Sequence, residues 1–334
     1  MLVETVNRLQ MLLWSLKIMF KVTSRWPHQG SIKIEWNLGK RCNYDCSYCP
    51  SEIHDNTSQH TDIEILKSTI DKLVTLGKPI RLSFTGGEPC VHPKFDELVK
   101  YAKHVGISWI NVTTNGTRPY EFYAGLPVDQ YVFSIHLEYD WKRVFNTVES
   151  INKLSTVKVI AQIMAHHDHM PAAVQLRARC QLGNIPNTVR RIRWTKGDHD
   201  LFDDMRYNAN DLDFIKSMES TVEANTVVWL DDKYAQLLYH ANDMIKNHQN
   251  QFKGWTCNAG IESLMINWDG DVHRATCRVG GSLGNIYEGS FVVPSDPVTC
   301  DRDFCTCAAD IPLTKVSALI PERLSQSPFD AVNP

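Results

Sequence analysis

Three cysteines near the start of the chain are the residues best suited to chemistry. Cys42, Cys46 and Cys49 follow one another at C-x3-C-x2-C spacing, directly after an apolar run at 32–38. Thiolates bind iron–sulfur clusters, and a cluster of four irons takes four ligands. Three cysteines would leave one iron open to a ligand that is not protein, just as an open position distinguishes catalytic from structural zinc.

Two other interpretations of this triplet stay open on these residues alone. The thiols could belong to a zinc site, with His54 or His60 as the fourth ligand that structural zinc requires. They could also be three unrelated core cysteines.

A second group, of five cysteines, lies in the last fifth of the chain. Asp269-Gly270 is a hairpin turn signal flanked by alternating residues, which predicts that Cys257 and Cys277 lie close together at the two open ends of a β-hairpin. Five thiols are one more than a four-iron cluster needs and too few for two such clusters. A zinc ribbon-like site is the alternative. The group consists of Cys257, Cys277, Cys300, Cys305 and Cys307.

The composition favours metal ligands in a reducing compartment. Eight of the ten cysteines in this 334-residue chain fall in the two groups, whereas disulfide scaffolds are usually short secreted chains. The pattern therefore predicts metal binding and a cytoplasmic protein. The net charge of −3 provides no field that attracts nucleic acid, so a nucleic-acid partner is not expected.

Alternating strands and helices are predicted to position the first cysteine group. Apolar patterns predict six strands, at 32–38, 80–85, 108–114, 131–135, 157–164 and 189–194, with helices at 62–76, 95–105, 141–154 and 170–182 between them. This alternation predicts an α/β fold with a parallel sheet, closed or partly closed into a barrel. In such folds the chemistry lies at the C-terminal ends of the strands.

The segments outside this alternation are predicted to be mostly helical. Residues 1–25 read as an amphipathic helix packed on the body, with a helix that binds a membrane surface or a partner as the alternative. The segment lacks the order of a signal peptide and is too short to span a bilayer. After a loop at 195–208, helices at 212–223 and 232–248 flank a short strand at 226–230.

The first cysteine group and Gly86-Gly87-Glu88-Pro89 together resemble the radical S-adenosylmethionine (SAM) superfamily. In that family SAM binds the open iron, an electron from the cluster cleaves it to methionine and a 5′-deoxyadenosyl radical, and the radical abstracts a hydrogen atom from the substrate. The resemblance implies a partial (β/α)6 TIM-like barrel, with a [4Fe–4S] cluster and SAM as cofactors. It also implies an electron donor of the flavodoxin or ferredoxin type.

The resemblance also assigns roles to single residues. Asn115 and Ser134, at the ends of the third and fourth strands, are candidates for the ribose and carboxylate of SAM or for the substrate, although Asn115 is alternatively only a turn residue. The fifth strand lacks the glycine of the last SAM motif, so no side chain there is assigned. The implied roles are cluster ligands for Cys42, Cys46 and Cys49, the methionyl amine site for Gly86, Gly87 and Glu88, and the adenine site for Tyr48.

Polar residues after the later strands are candidates for substrate contact. His136 and Glu138 follow the fourth strand, and Arg193 on the sixth could bind a carboxylate or phosphate, with plain surface solvation as the alternative. The run His166-His167-Asp168-His169 is predicted to be a polar loop and not a metal site. Cys90 could return a hydrogen atom to a substrate radical, as epimerases require, or be inert packing.

The second cysteine group resembles the auxiliary-cluster extensions of this superfamily called SPASM, with two clusters, and twitch, with one. Five cysteines favour twitch with one auxiliary [4Fe–4S] cluster, ligated by Cys257, Cys277 and two of the other three. The predicted division is an N-terminal helical extension at 1–30, a radical SAM core barrel at 31–208, a helical connection at 209–254, a twitch-like domain of β-hairpin and helix at 255–312, and a tail at 313–334.

We therefore expect a radical SAM enzyme that oxidises or rearranges a small polar molecule, such as a sugar, a nucleotide or an aminoglycoside-like compound. The auxiliary cluster would accept the electron left on the substrate radical or bind the substrate. A peptide-modifying maturase or an epimerase is the alternative, although the thirty residues before the first strand are fewer than a leader-peptide-binding domain takes. A non-catalytic iron–sulfur or zinc-binding module is the alternative of another class. Substrate, net reaction and oligomeric state do not follow from the sequence.

Overall fold

A nine-stranded sheet carries the elements that position the first cysteine group. The structure is a computed structural model that describes residues 20–25, 30–49, 51, 54–154, 156–196, 200–203, 206–230 and 234–317. The strands are β1 (Phe20–Ser24), β2 (Ile32–Asn37), β3 (Ile80–Thr85), β4 (Trp109–Thr114), β5 (Gln130–His136), β6 (Lys158–Ala165), β7 (Asn187–Arg191), β8 (Arg193–Lys196), β9 (Asp200–Asp203), β10 (Thr226–Leu230), β11 (Tyr234–Tyr239), β12 (Thr256–Cys257), β13 (Ser263–Ile266), β14 (Asp271–His273), β15 (Ser282–Asn285), β16 (Val298–Thr299) and β17 (Lys315–Ser317). The helices are α1 (Ile63–Val74), α2 (Phe95–His104), α3 (Tyr120–Ala124), α4 (Trp141–Asn152), α5 (Met170–Leu182), α6 (Ala209–Ser217) and α7 (Ala241–Lys246), with 3-10 turns at Pro89–Val91 and His167–His169.

The middle of the nine-stranded sheet consists of six parallel strands, β2 to β7, which lie side by side in chain order. Helices α1 to α5 lie in the connections between them. All six predicted strands are present, and the predicted alternation of strand and helix is confirmed. Because the strands are parallel, their C-terminal ends meet at one edge of the sheet.

Helix α1 illustrates how the sequence forms these connections. The Asp62 carboxylate caps the helix by accepting a hydrogen bond from the backbone N–H of Glu64. Leu66, Ile70 and Leu73 then recur at helical spacing, and all three are fully buried against the sheet's apolar face. Side chains of this kind each contribute about 1.5–3 kcal/mol when buried.

The two faces of the parallel sheet differ in polarity. Side chains alternate between the faces along a strand, and on β2 Ile34 and Trp36 are fully buried in the apolar core. The opposite face carries partly exposed polar side chains that form a row across neighbouring strands. Asn111 Nδ2 donates to Ser83 Oγ at 2.7 Å, and Gln130 Nε2 donates to Asn111 Oδ1 at 3.1 Å. This face is therefore suited to contact a polar molecule.

The C-terminal hairpin extends the parallel sheet. β13 pairs in parallel with β2, so that Leu264 lies opposite Ile34 and Ile266 opposite Trp36, and β14 and β15 follow as antiparallel strands. The prediction of a small domain of hairpin and helix at 255–312 is corrected in two respects. Its hairpin belongs to the core sheet, because Leu264 and Ile266 continue the buried apolar face of β2. The described residues of this segment contain no helix.

A second, antiparallel sheet has the order β11-β10-β1-β17-β12-β16. The prediction of an N-terminal helix to residue 25 is wrong for β1, which pairs with β10 and β17 and buries Val22 between its neighbours. Residues 1–19 lie outside the described residues. The prediction of a tail from residue 313 is also wrong, because β17 pairs with both β1 and β12.

The connection after β7 is less helical than predicted. β8 and β9 pair at the start of the expected loop at 195–208. The helix expected at 212–223 is observed only in its first half, as α6, which ends at Ser217. The first part of the helix expected at 232–248 is replaced by β11, which pairs with β10, and the second part is the short helix α7. Pairing with a neighbouring strand overrides the helical spacing of the apolar residues in this segment. Within the described residues, the helices are too short or too polar to cross a membrane.

Candidate active site

The loop that carries the first cysteine group crosses the glycine turn after β3. The N–H of Gly87 donates to the carbonyl of Gly39 at 2.8 Å, and the N–H of Glu88 donates to that of Arg41 at 2.9 Å. A Cβ on Gly87 would lie only 2.3 Å from the carbonyl oxygen of Lys40. Because only glycine allows this approach, Gly87 determines how closely the backbone of the cysteine loop packs on the turn after β3.

A backbone pair closes the loop on its other side. The N–H of Cys42 donates to the Asp55 carbonyl at 2.7 Å, and the N–H of Asp55 donates to the Lys40 carbonyl at 3.0 Å. The Asp55 carboxylate accepts hydrogen bonds from the Ser58 hydroxyl and from the N–H groups of Ser58 and Thr57, which hold the pKa of this carboxyl down at about 2. The segment from Asp55 to Ser58 thus supports Cys42.

Burial and hydrogen bonding shift the pKa values of the three thiols in the loop. Burial raises the pKa of Cys42 to about 11. A hydrogen bond between Cys46 and Cys49 lowers the pKa of Cys49 to about 7 and raises that of Cys46. Because metals bind thiolates, any metal that binds here must displace these protons.

Glu88 is a buried carboxylate that links the ends of β3 and β4. Its Oε1 accepts from the Cys90 N–H at 2.9 Å and from Thr114 Oγ1 at 2.8 Å, and its Oε2 accepts from the Asn115 N–H at 2.6 Å. Burial nevertheless raises the pKa of this carboxyl above its ordinary value. A carboxylate has about four acceptor positions, so Glu88 retains capacity for one further donor.

Asn115 is brought to the cysteine loop, and Ser134 is not. Asn115 is buried, and its Nδ2 donates to Asn43 Oδ1 at 2.8 Å and lies 3.9 Å from Cys42 Sγ. Ser134 lies lower on the polar face of the sheet, where its hydroxyl accepts from Gln162 Nε2 at 3.2 Å. Of the two SAM candidates, Asn115 therefore lies at the cysteine loop, and Ser134 lies further from it on the polar face of the sheet.

Tyr48 and His136 form a pair against the loop. The Tyr48 hydroxyl lies 2.5 Å from His136 Nδ1, and the two rings are stacked with centroids 5.9 Å apart. The same nitrogen lies 3.3 Å from Cys46 Sγ. Burial lowers the pKa of His136 to about 4, so its imidazole is neutral near pH 7. The predicted substrate residue His136 thus contacts the cluster loop directly.

Glu138 and His166 contact the same loop through Ser47. Glu138 Oε2 accepts from the Ser47 N–H at 3.2 Å, and its Oε1 lies 3.6 Å from His166 Nε2. That nitrogen lies 3.2 Å from Ser47 Oγ. Ligand atoms of His166, His167 and Asp168 lie within 4.8 Å of one another, which is the geometry of a candidate metal group, although the sequence favoured a polar loop.

Two further candidates fall outside this contact network, and one contact was missed. The backbone of Arg193 pairs with Asp203 in β8 and β9, but its side chain is outside the described part of the chain. Cys90 is buried in the apolar core, as the packing interpretation expects. Tyr139, which was not predicted, stacks on Tyr44 with centroids 3.7 Å apart; its position in the polar run after β5 was the only available signal.

Four cysteines of the second group line one narrow cavity. Lys315, Arg302, Asp310 and Phe304 also line it. Lys315 is buried and donates to the carbonyls of Asp310, Ile311 and Leu313. The four cysteines are Cys257, Cys277, Cys300 and Cys305.

Cys307 has different surroundings from the other four cysteines. Burial, with Asp310 and Glu35 nearby, raises the pKa of its thiol to about 12. Asp310 also binds Lys33 Nζ at 3.4 Å. Cys307 therefore lies near the polar face of β2, which carries Lys33 and Glu35.

A cavity of about 200 Å³ lies between the two cysteine groups. Tyr48 borders it on the side of the first group, and Thr306 borders it on the side of the second. The remaining lining residues are Met164, Val189, Arg190, Arg191, Ile192, Asn242, Ile245 and Lys246.

Residues 36–168, which contain the cysteine loop and the glycine turn, match the model of the Radical SAM superfamily. This segment is a radical SAM domain. Such a domain implies a [4Fe–4S] cluster and SAM as cofactors, and the arrangement of three cysteines above Gly86-Gly87-Glu88 is compatible with both. The match does not extend to the second cysteine group.

The chain is also similar to characterised proteins over part of its length. It is 35% identical over 85 residues to the Fe-coproporphyrin III synthase of Methanosarcina barkeri, covering 25% of this chain and 21% of that protein. It is 40% identical over 76 residues to the GTP 3′,8-cyclase of Chlorobaculum tepidum, covering 22% of this chain and 23% of that protein. The matches thus span less than a quarter of these relatives.

A solved structure, of anSMEcpe with bound AdoMet, has the same fold. It superposes with a TM-score of 0.51 at 15% sequence identity, covering 78% of this chain and 79% of that chain. At this identity the likeness concerns the fold alone.

Proposed function

We propose that this protein is a radical SAM enzyme with two [4Fe–4S] clusters that oxidises or rearranges a small polar molecule. The observation that carries the proposal is the packing of the Cys42–Cys49 loop on the Gly86-Gly87-Glu88 turn at the C-terminal edge of the parallel sheet. We expect it to work in the cytoplasm with a flavodoxin- or ferredoxin-type electron donor. The polar face of the sheet below the loop supports a polar substrate.

The number of thiols in the first loop supports a cluster over zinc. Structural zinc takes four protein ligands, whereas the loop supplies three cysteines. A cluster of four irons with three cysteine ligands keeps one iron open for a ligand that is not protein. Within the described residues, the group of three ligand atoms that lie within 4.8 Å of one another consists of His166, His167 and Asp168 and contains no cysteine.

We assign the first cluster to Cys42, Cys46 and Cys49, and the SAM site to the surfaces beside them. When bound, the cluster supplies the electron that cleaves SAM and yields the radical that abstracts a substrate hydrogen. Glu88 would accept from the ammonium group of SAM with its remaining acceptor position. Tyr48 and His136 would form the wall between the cofactor and the cavity, and thereby limit water near the reacting carbon.

We propose that the parallel sheet curves into a partial barrel. In a flat sheet, β2 and β7 would be five strand spacings apart, or about 24 Å. Ile192, which directly follows β7, nevertheless forms a buried cluster with Cys46 and Tyr48 from the loop after β2. Curvature of the sheet explains how residues from both edges meet above its strand ends.

We assign the auxiliary cluster to Cys257, Cys277, Cys300 and Cys305. Lys315, Arg302 and Asp310 line the cavity beside these thiols. Arg302 pairs with Asp301 at 3.1 Å and Asp310 pairs with Lys33 at 3.4 Å, whereas Lys315 is buried and donates to three carbonyl oxygens. Burying a cation is costly, and a cluster with four thiolates would place negative charge beside Lys315. Cys307 would remain outside this ligand set. The functional segment at 255–312 is thus a twitch-like extension fused to the core sheet.

Anaerobic reconstitution with iron and sulfide tests the proposal. We expect about eight irons per chain, from two clusters of four, and formation of 5′-deoxyadenosine when SAM and dithionite are added. The triple variant Cys42→Ala, Cys46→Ala, Cys49→Ala should retain about four irons and form no 5′-deoxyadenosine.

Cys180→Ala is the matched control, because Cys180 is a buried cysteine on α5 outside both groups. It should retain both the iron and the cleavage. One or two zinc ions per chain, with no SAM cleavage in the wild-type protein, would show that the chain is a zinc-binding module instead.

A further inference from the structure

The cavity between the two cysteine groups has a strongly cationic lining. Arg190, Arg191 and Lys246 line it, and none of its described lining residues is acidic. Asp243 lies behind Lys246, at 2.7 Å from its Nζ, and Glu35 is the carboxylate that acts on Arg190 through space. Three cations and no acidic residue therefore line the described part of the cavity.

Arg190 is the cation best placed to bind a ligand. Its Nη1 donates to Asn242 Oδ1 at 3.1 Å. Across the described ranges of the chain, no carboxylate oxygen lies within 4.0 Å of its guanidinium, which offers five donors in a fixed fork. Burial lowers the pKa of Arg190, although Cys307 and Glu35 act in the opposite direction. A guanidinium without a carboxylate partner of its own is suited to bind an anionic ligand.

The Arg190 side chain is also held in position from behind. Asn242 is buried on α7, and its Nδ2 donates to Thr188 Oγ1 at 3.3 Å. This bond fixes the amide so that its oxygen faces Arg190. Three side chains from two elements, β7 and α7, thus form one supported arrangement instead of a flexible surface arginine.

The position of Arg190 on the sheet connects the cavity with the radical site. Arg190 is in register with Met164 on β6, and Met164 is in register with His136 on β5. Two strand spacings, about 10 Å, therefore separate Arg190 from the histidine that contacts Tyr48 and Cys46. A ligand held at Arg190 would extend from there toward the SAM site.

We propose that this cavity binds an oxyanion group of the substrate, a phosphate or a carboxylate, with Arg190 as its principal ligand and Arg191 and Lys246 as supporting cations. The inference rests on the proposed function, which it narrows to anionic small molecules. Arg190 would form paired hydrogen bonds to two oxygens of the group, as guanidinium does with planar and tetrahedral oxyanions. The rest of the substrate would then lie between the two cysteine groups.

Calorimetric titration of the anaerobically reconstituted full chain with inorganic phosphate, and separately with acetate, tests the proposal at low salt. We expect at least one of the two probes to bind, and the stronger probe distinguishes a phosphate from a carboxylate substrate. Arg190→Gln should weaken binding at least about tenfold, because charge-assisted hydrogen bonds are lost. Arg190→Lys should bind the anion with an affinity between those of the wild type and Arg190→Gln, because lysine keeps the positive charge but lacks the forked guanidinium.

Arg179→Gln is the charge-matched control. Arg179 lies on α5 and pairs with Glu149 at 3.1 Å, away from the cavity, so its variant should bind the probe as the wild type does. Failure of both probes to bind the wild type, or equal binding by Arg190→Gln with unchanged thermal unfolding, would overturn the proposal. SAM cleavage is measured on the same samples: cleavage without anion binding refutes only this inference, and anion binding without cleavage refutes only the proposed function.

Discussion

At the scale of single residues, Glu88 has a structural role in addition to its proposed role in SAM binding. The sequence indicated a carboxylate for the methionyl amine of SAM, and the structure shows that three hydrogen bonds from Cys90, Thr114 and Asn115 already bind it. The residue therefore joins the ends of two strands before any cofactor arrives. The sequence could not reveal this, because the partners at 114 and 115 lie 26 and 27 residues away along the chain.

Glu88→Gln should destabilise the fold by about 1–3 kcal/mol, the cost of an unsatisfied buried polar group. The amide NH2 group of the glutamine would replace one carboxylate oxygen of Glu88. It would then face an N–H or O–H donor that now donates to that oxygen. Urea denaturation of the unreconstituted protein measures the change. Glu121→Gln, at an exposed position of α3, should change stability by less than about 0.5 kcal/mol. Equal stability of the two variants would contradict the structural role of Glu88.

The cluster-binding triplet shows what the sequence predicts well. Spacing of Cys42, Cys46 and Cys49 is local, so the loop and its glycine partner were predicted from the chain alone. Contacts of Tyr139 and Glu138 with that loop span more than ninety residues, and no local pattern predicts such pairs. Arg190 was likewise not singled out as the anion ligand, because its isolation from carboxylates is visible only in three dimensions.

At the scale of elements, the crossing of the cysteine loop over the glycine turn determines whether the first cluster can form. Its geometry depends on two backbones in direct contact. Gly39 and Gly87 both belong to this crossing, but they differ in the space around them. A Cβ on Gly39 would meet nothing closer than 4.0 Å, whereas one on Gly87 would overlap two backbone carbonyls.

Gly87→Ala should therefore displace the cysteine loop, destabilise the fold by about 1–3 kcal/mol, and lower the iron bound by the first group. Iron analysis of the reconstituted protein and its yield of 5′-deoxyadenosine report the effect. Gly39→Ala is the matched control within the same loop and should retain both. If the two alanine variants behaved alike, the close approach at Gly87 would not be what positions the cysteines.

The second cysteine group allows a sharper test of ligand assignment. We expect Cys305→Ala to lose about four irons per chain while SAM cleavage continues. Cys307→Ala should retain about eight irons, because Cys307 does not line the cavity that the other four cysteines share. Iron loss in Cys307→Ala with full iron in Cys305→Ala would reverse the assignment.

At the scale of the whole molecule, the radical SAM domain and the C-terminal segment form one sheet. The sequence correctly predicted a hairpin at Asp269-Gly270 but treated it as part of a separate domain. Parallel pairing of β13 with β2 joins segments about 230 residues apart, and such pairing leaves no signal in either segment alone. The same holds for β1 and β17, whose pairing gives the two ends of the described chain a strand structure.

A chain that stops at residue 254 should accordingly fail to fold cooperatively. It would lack β13, which covers the edge of β2, and β12, β16 and β17 of the second sheet. Exposed strand edges of this kind promote aggregation. Soluble yield and thermal unfolding followed by circular dichroism check the outcome. A soluble truncated chain that unfolds in one sharp transition near the wild-type temperature would show that the core is independent of the C-terminal segment.

In the proposed enzyme, one iron of the first cluster is left open for SAM. The most direct measurement is the electron paramagnetic resonance spectrum of the Cys257→Ala, Cys277→Ala variant, which should carry only the first cluster, after reduction in the absence and presence of SAM. We predict a distinct spectrum when SAM is added, because its amino and carboxylate groups bind the open iron. An identical spectrum with and without SAM, or no iron in this variant, would contradict the account.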